Sequence, residues 1–228
     1  MTDPSFDSVD FSRIPDPIEE GAPAPLPALA ARPGPSRSER RRRARVAWLV
    51  ASGWVLGQLA LAGIRSDMPR VPLAYTIACG VGPLVAGLVC FTAAVAPGRL
   101  GLGARAGVLA ALALLMPLSF VVSGYALSPP YPAAPAGTLV NGVFCFNIAL
   151  AWTLLPLVAA GLALRGAFAA GAGARSLLVG LAAGLFVATT SMLRCPLSDP
   201  WHMALSHGGA VVASALLGAF VLARVTRA

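Results

Sequence analysis

From Val46 onward the chain is dominated by long uncharged, mostly apolar stretches: Val46–Ile64, Val71–Gly98, Ala106–Leu164, Ser176–Leu193 and Pro200–Ala223. A hydrocarbon layer of roughly 30 Å is crossed by about 20 helical residues. The stretch Ala106–Leu164 is too long for one crossing. A Pro-rich segment, Ser128–Thr138 (SPPYPAAPAGT), divides it. Backbone polar groups in lipid must be paired within the protein. Continuous apolar runs satisfy that as helices, whereas barrel strands need an alternating pattern that is absent here. The sequence therefore predicts an all-α polytopic membrane protein with six transmembrane helices. Their expected extents are about 46–64, 71–96, 106–127, 139–164, 176–193 and 204–223.

Charge supports this reading and gives it a direction. Only 11% of residues are charged and mean hydropathy is +0.76, against about 25% charged in soluble domains. Seven of the nine acidic residues precede residue 46, and only Asp67 and Asp199 follow. No ordinary soluble surface can be built from that remainder. The basic residues are 17 arginines without a lysine. Twelve would fall on one side of a six-span bundle: Arg37, Arg40, Arg41, Arg42, Arg43, Arg45, Arg99, Arg105, Arg165, Arg175, Arg224 and Arg227. Arg65, Arg70 and Arg194 would fall on the other. Cytoplasmic flanks carry the arginine excess, so both N and C termini are expected in the cytoplasm. The net charge of +8 then reflects membrane boundaries, and no direct contact with nucleic acid is expected.

Residues 1–45 form the expected cytoplasmic N-terminal tail, and 46–228 the six-helix transmembrane domain. The tail is rich in Pro, Ala and charge (PDPIEEGAPAPLPALAARPGPS), a composition that stays flexible or folds only on a partner. No secretory signal is evident, so the first span is expected to remain in the mature chain. Arg40, Arg41, Arg42, Arg43 and Arg45 abut that span, where they can anchor the chain to anionic lipid.

The chemistry-bearing residues crowd into one region. Between Arg194 and Ala210 lie Cys195, Asp199, His202 and His207, which include both histidines of the chain. Thiolate, carboxylate and imidazole can all ligate metals. Yet His202 and His207 are five apart, which on a regular α-helix turns them to different faces. A joint site would need His202 in a loop. A structural role, with Asp199 and the histidines capping a helix and pairing with Arg194, explains the same residues. Cys145 enters from the same side, about 10 Å down its helix at 1.5 Å per residue. It can approach Cys195 in a compartment that permits disulfides, or serve as a small packing residue. Cys79 and Cys90 read as packing residues. Asp67 between Arg65 and Arg70 reads as a local ion pair of little net worth. No phosphate loop, nucleophile elbow, HExxH motif or dinucleotide fingerprint occurs. No enzyme activity, cofactor or metal is expected.

These pieces, in order, resemble the NrsF family of six-span membrane anti-sigma factors, negative regulators of an extracytoplasmic-function (ECF) sigma factor. Gly63-Ile64-Arg65-Ser66-Asp67 is similar to the family's Gly-x-Arg-x-Asp after the first helix. Ala96-Pro97-Gly98-Arg99 is similar to the turn closing the second. Cys145, Leu155-Pro156 and Leu164-Arg165-Gly166 follow the family's order, and Gly180–Gly184 and Cys195-Pro196 with Asp199 and a nearby His complete it. The tail here is longer and more acidic than the family's short Leu/Pro-rich leader. The resemblance implies a regulator at the bacterial inner membrane. It would bind an ECF-type sigma factor through its cytoplasmic face and release it on an extracytoplasmic signal. Cys145, Cys195, Asp199, His202 and His207 are the expected sensing residues. Two other classes fit the residues alone: a small transporter or channel, or a membrane metal-dependent enzyme using Asp199, His202 and His207.

Overall fold

A computed structural model describes residues 36–95, 111, 115, 118–120, 122, 139–165, 172–197 and 199–227. Five of its helices are long and apolar enough to cross a membrane: α1 (Arg37–Ala62), α2 (Leu73–Val95), α3 (Val140–Ala163), α4 (Ala172–Arg194) and α5 (Pro200–Thr226). Among the described residues every regular element is helical. Over the described residues the protein is thus all-helical, with the helices of a multi-pass membrane protein. The third expected span, about 106–127, lies mostly outside the described residues, as does the turn at Ala96–Arg99. Those of its residues that are described are helical, and the Phe120 side chain is buried.

Local signals explain the helix ends. α1 begins at Arg37, so the arginine run Arg40–Arg45 is helical and the boundary expected after residue 45 falls inside a helix. Its N-cap is Ser36, whose Oγ accepts a hydrogen bond from the Glu39 N–H at 3.2 Å. This satisfies one of the amides that every helix start leaves open. α1 ends at Gly63, whose φ of +69° and ψ of −179° lie in a region essentially reserved for glycine. α5 starts at Pro200 behind Asp199, a side-chain cap followed by a residue that lacks the N–H a cap would have to satisfy.

α4 is the hub. It packs against α1, α2, α3 and α5, and 83% of its span is buried inside the bundle. Lipid-like faces are left to the other helices. Leu49, Leu56 and Leu61 of α1 and Val140 and Leu162 of α3 are each more than 60% exposed, as expected where the surroundings are hydrocarbon. α4 and α5 cross backbone to backbone. A Cβ on Gly180 would lie 2.3 Å from the Ser214 carbonyl oxygen, and one on Gly218 would lie 2.3 Å from that of Ser176. Small residues four apart permit such close approach in lipid. Two hydroxyls inside the bundle turn back on their own helices: Thr153 Oγ1 donates to the Ala149 carbonyl at 2.8 Å and Ser214 Oγ to that of Ala210 at 2.6 Å. Aromatic contacts fix α1. Trp48 meets Phe91 of α2 edge-on at 4.8 Å between ring centroids, and Trp54 Nε1 donates to the Trp152 carbonyl of α3 at 2.9 Å.

Candidate functional site

The end of α1, the beginning of α3, the end of α4 and the beginning of α5 meet at one end of the bundle. Cys195 leaves α4 there, Cys145 lies in the second turn of α3, and His202 lies in the first turn of α5. The two sulfurs and a ring nitrogen of His202 lie within 4.8 Å of one another. Cys195 Sγ is 3.2 Å from His202 Nε2. Both cysteines are reduced and half-buried, while His202 is buried. Burial pushes the Cys195 thiol up to about 11; the Leu197 amide opposes that shift, neighbouring Cys145 adds to it, and Arg65 opposes it. The sulfur is therefore a protonated thiol near neutral pH, and a cation has to displace that proton to bind.

The sequence-predicted residues separate into roles. Asp199 is the N-cap of α5: its Oδ1 accepts from the His202 amide at 3.0 Å. His207 lies one wide turn deeper, fully buried, with neither ring nitrogen hydrogen-bonded among the described residues, and is stacked on Phe120 at 6.3 Å between centroids. It meets the His202 ring edge-on at 5.7 Å. That contact corrects the expectation that five-residue spacing parts the two histidines. Met203–Gly208 is a π-helical turn, whose i→i+5 bonding pattern places residues five apart above one another. Among the described residues the group whose ligand atoms come close enough to share a metal ion is Cys145, Cys195 and His202, rather than Asp199, His202 and His207. Ser206 ties the two helices beside it, donating from Oγ to the Gly142 carbonyl at 3.2 Å. Arg194 does not pair with the histidines; its guanidinium lies 4.9 Å over the Trp152 ring.

Arg65 is the residue whose role the sequence concealed. It is only 8% exposed and holds Asp67 with two parallel bonds, Nε to Oδ1 at 2.6 Å and NH2 to Oδ2 at 2.7 Å. The same guanidinium donates to the carbonyls of Cys195 at 2.7 Å and Pro196 at 3.1 Å. Its backbone amide donates to the Leu193 carbonyl at 2.8 Å. What reads locally as a surface ion pair is a clasp joining the end of α1 to the cysteine-bearing turn.

Two thiols and an imidazole suit a soft or borderline divalent ion. Sulfur–sulfur edges of a zinc tetrahedron are about 3.8 Å given Zn–S near 2.3 Å. A contraction of at most about 1 Å thus brings the three ligands into range, leaving a fourth position open. The same proximity allows the two thiols to be oxidised to a disulfide.

At the opposite end, Arg40, Arg41, Arg42 and Arg45 are exposed on the first turns of α1. Arg43 is half-buried, pairs with Glu39 at 2.5 Å and donates to the Arg165 carbonyl at the end of α3.

Comparison with protein-family models, curated proteins and solved structures gives no match.

Proposed function

We propose that the chain is a membrane anti-sigma factor of the NrsF type. In this reading it has six spans, with both termini in the cytoplasm of a bacterium and the cysteine cluster on the outer face of the inner membrane. The tail ahead of α1 holds an ECF-type sigma factor. Its acidic residues between Asp3 and Glu20 address the basic surface with which such a factor grips DNA. A thiol-oxidising or thiolate-binding signal at Cys145 and Cys195 shifts the bundle between two states and releases the factor.

One observation carries the reading. The sequence piece most specific to the resemblance, Cys195-Pro196, is joined by the Arg65 clasp to an earlier piece of it, Gly63–Asp67, with Arg65 and Cys195 130 positions apart. Motif residues that converge in space around reactive side chains are what a sensing site requires. The clasp also gives the signal a route, because α1 leads from Arg65 directly to the tail. An enzyme or transporter gains no comparable support from it.

The test is co-purification of a sigma factor with the intact chain from its own host. Removal of residues 1–35, which spares α1, abolishes capture. Cys145→Ser and Cys195→Ser keep capture and lose induction. Undiminished capture without the tail, or normal induction in both cysteine variants, sinks the proposal.

A further inference from the structure

The end of the bundle opposite the cysteines has a cleft between the start of α1 and the end of α3, with a volume of about 450 Å³. Arg42, Arg43 and Arg165 supply its charge, and Val46 and Leu162 its floor. Glu39 also lines it but is engaged by Arg43. The arginines outnumber the acid, and the surplus rests with the exposed Arg42 and Arg165. Leu162 is shared with a second, wholly apolar groove of about 230 Å³ between α3 and α5. Leu154, Val158, Leu217 and Val221 line that groove, and Val158 is 58% exposed. A basic cleft thus opens at the membrane boundary next to an apolar channel along the spans.

We infer that this composite surface binds one anionic phospholipid, its phosphate between Arg42 and Arg165 and an acyl chain in the α3–α5 groove. Charge selects the head: guanidinium forks match phosphate oxygens, and basic pockets between membrane helices take anionic headgroups. The groove selects a molecule with a chain, since it offers a free anion nothing. Arginines acting only as a diffuse anchor need neither the cleft nor its continuation. The inference is independent of any sigma factor.

The test uses the full chain purified in detergent and native mass spectrometry. It is titrated with phosphatidylglycerol, with phosphatidylcholine of the same chains, and with inorganic phosphate. One phosphatidylglycerol is retained in preference to phosphatidylcholine. Arg42→Gln and Arg165→Gln each weaken it about fivefold, the worth of one basic contact near a membrane surface. Val158→Trp, which fills the groove at an exposed position, weakens it as well. Equal retention of the two lipids, or full retention in the double arginine variant, overturns the inference. Inorganic phosphate that displaces phosphatidylglycerol, with Val158→Trp silent, assigns the cleft to a free anion and overturns the lipid.

Discussion

Arg65 NH1 lies 2.7 Å from the carbonyl oxygen of Cys195, so the first turn after α1 holds the residue on which the candidate site is centred. Truncating Arg65 removes four hydrogen bonds at once, two to main-chain carbonyls and two to the Asp67 carboxylate. Arg65→Ala is expected to cost about 3 kcal/mol, the scale of breaking a buried pair from one side. Arg65→Lys recovers little of it, because an ammonium cannot reproduce the four-bond fork. Unfolding titrations in mixed micelles read the difference. An Arg65→Ala variant as stable as the parent would show that the clasp holds nothing.

Thiol chemistry at Cys195 follows from its raised pKa, near 11. The thiolate is the reactive form, so alkylation by iodoacetamide is slow at pH 7.5. It rises about tenfold per pH unit to beyond pH 9. Cys145→Ser removes a neighbour that disfavours the thiolate and speeds the reaction at any given pH. Peptide mapping after timed alkylation checks both. A rate that levels off near pH 8.5, as for a free cysteine, contradicts the burial argument.

Zinc offers a direct probe of the Cys145–Cys195–His202 group. One ion per chain is expected by chelator competition. Cys145→Ser, Cys195→Ser and His202→Ala each lower the affinity by more than the ~10–100-fold that loss of an outer-shell partner costs. Cys90→Ser, at a buried cysteine of α2, leaves it unchanged. Zinc binding that survives Cys195→Ser would place the ion elsewhere.

The crossing of α4 and α5 admits no side chain. Gly180→Ala would press a methyl to 2.3 Å from the Ser214 oxygen and 2.9 Å from Gly218 Cα. Overpacking of that kind costs about 3 kcal/mol. Gly53→Ala, on α1 where nothing lies within 4 Å, is expected to be neutral or to stabilise by up to about 1 kcal/mol through helix propensity. Thermal inactivation of the two variants side by side separates packing from propensity.

Much of the architecture was legible because hydropathy acts over whole helices. The extents expected for α2, α3 and α4 agree with the structure to within a few residues. α1 starts at Arg37, ahead of the residue 46 expected because an arginine run reads as a boundary. The overlooked signal was Ser36-Arg37-Ser38-Glu39, a Ser-x-x-Glu pattern that opens helices. The start of α5 had the same kind of marker in Asp199-Pro200. At the site, the convergence of Cys145 with Cys195 was readable from their common side of the membrane. The His202–His207 contact was not, since a π turn leaves no pattern that a regular helical wheel can show. Arg65 escaped because its partners are main-chain carbonyls far along the chain, and carbonyls carry no sequence signature.

α4 has hardly any surface left for lipid, although its composition alone would let it sit in a bilayer by itself. Its hydroxyls at Ser176, Thr189 and Thr190 reach partners on α5, α2 and α1 respectively, so its final surroundings exist only once those neighbours have arrived. The solvation of α4 is accordingly supplied by protein on every side, and a substitution on the inner face of any neighbouring helix changes it.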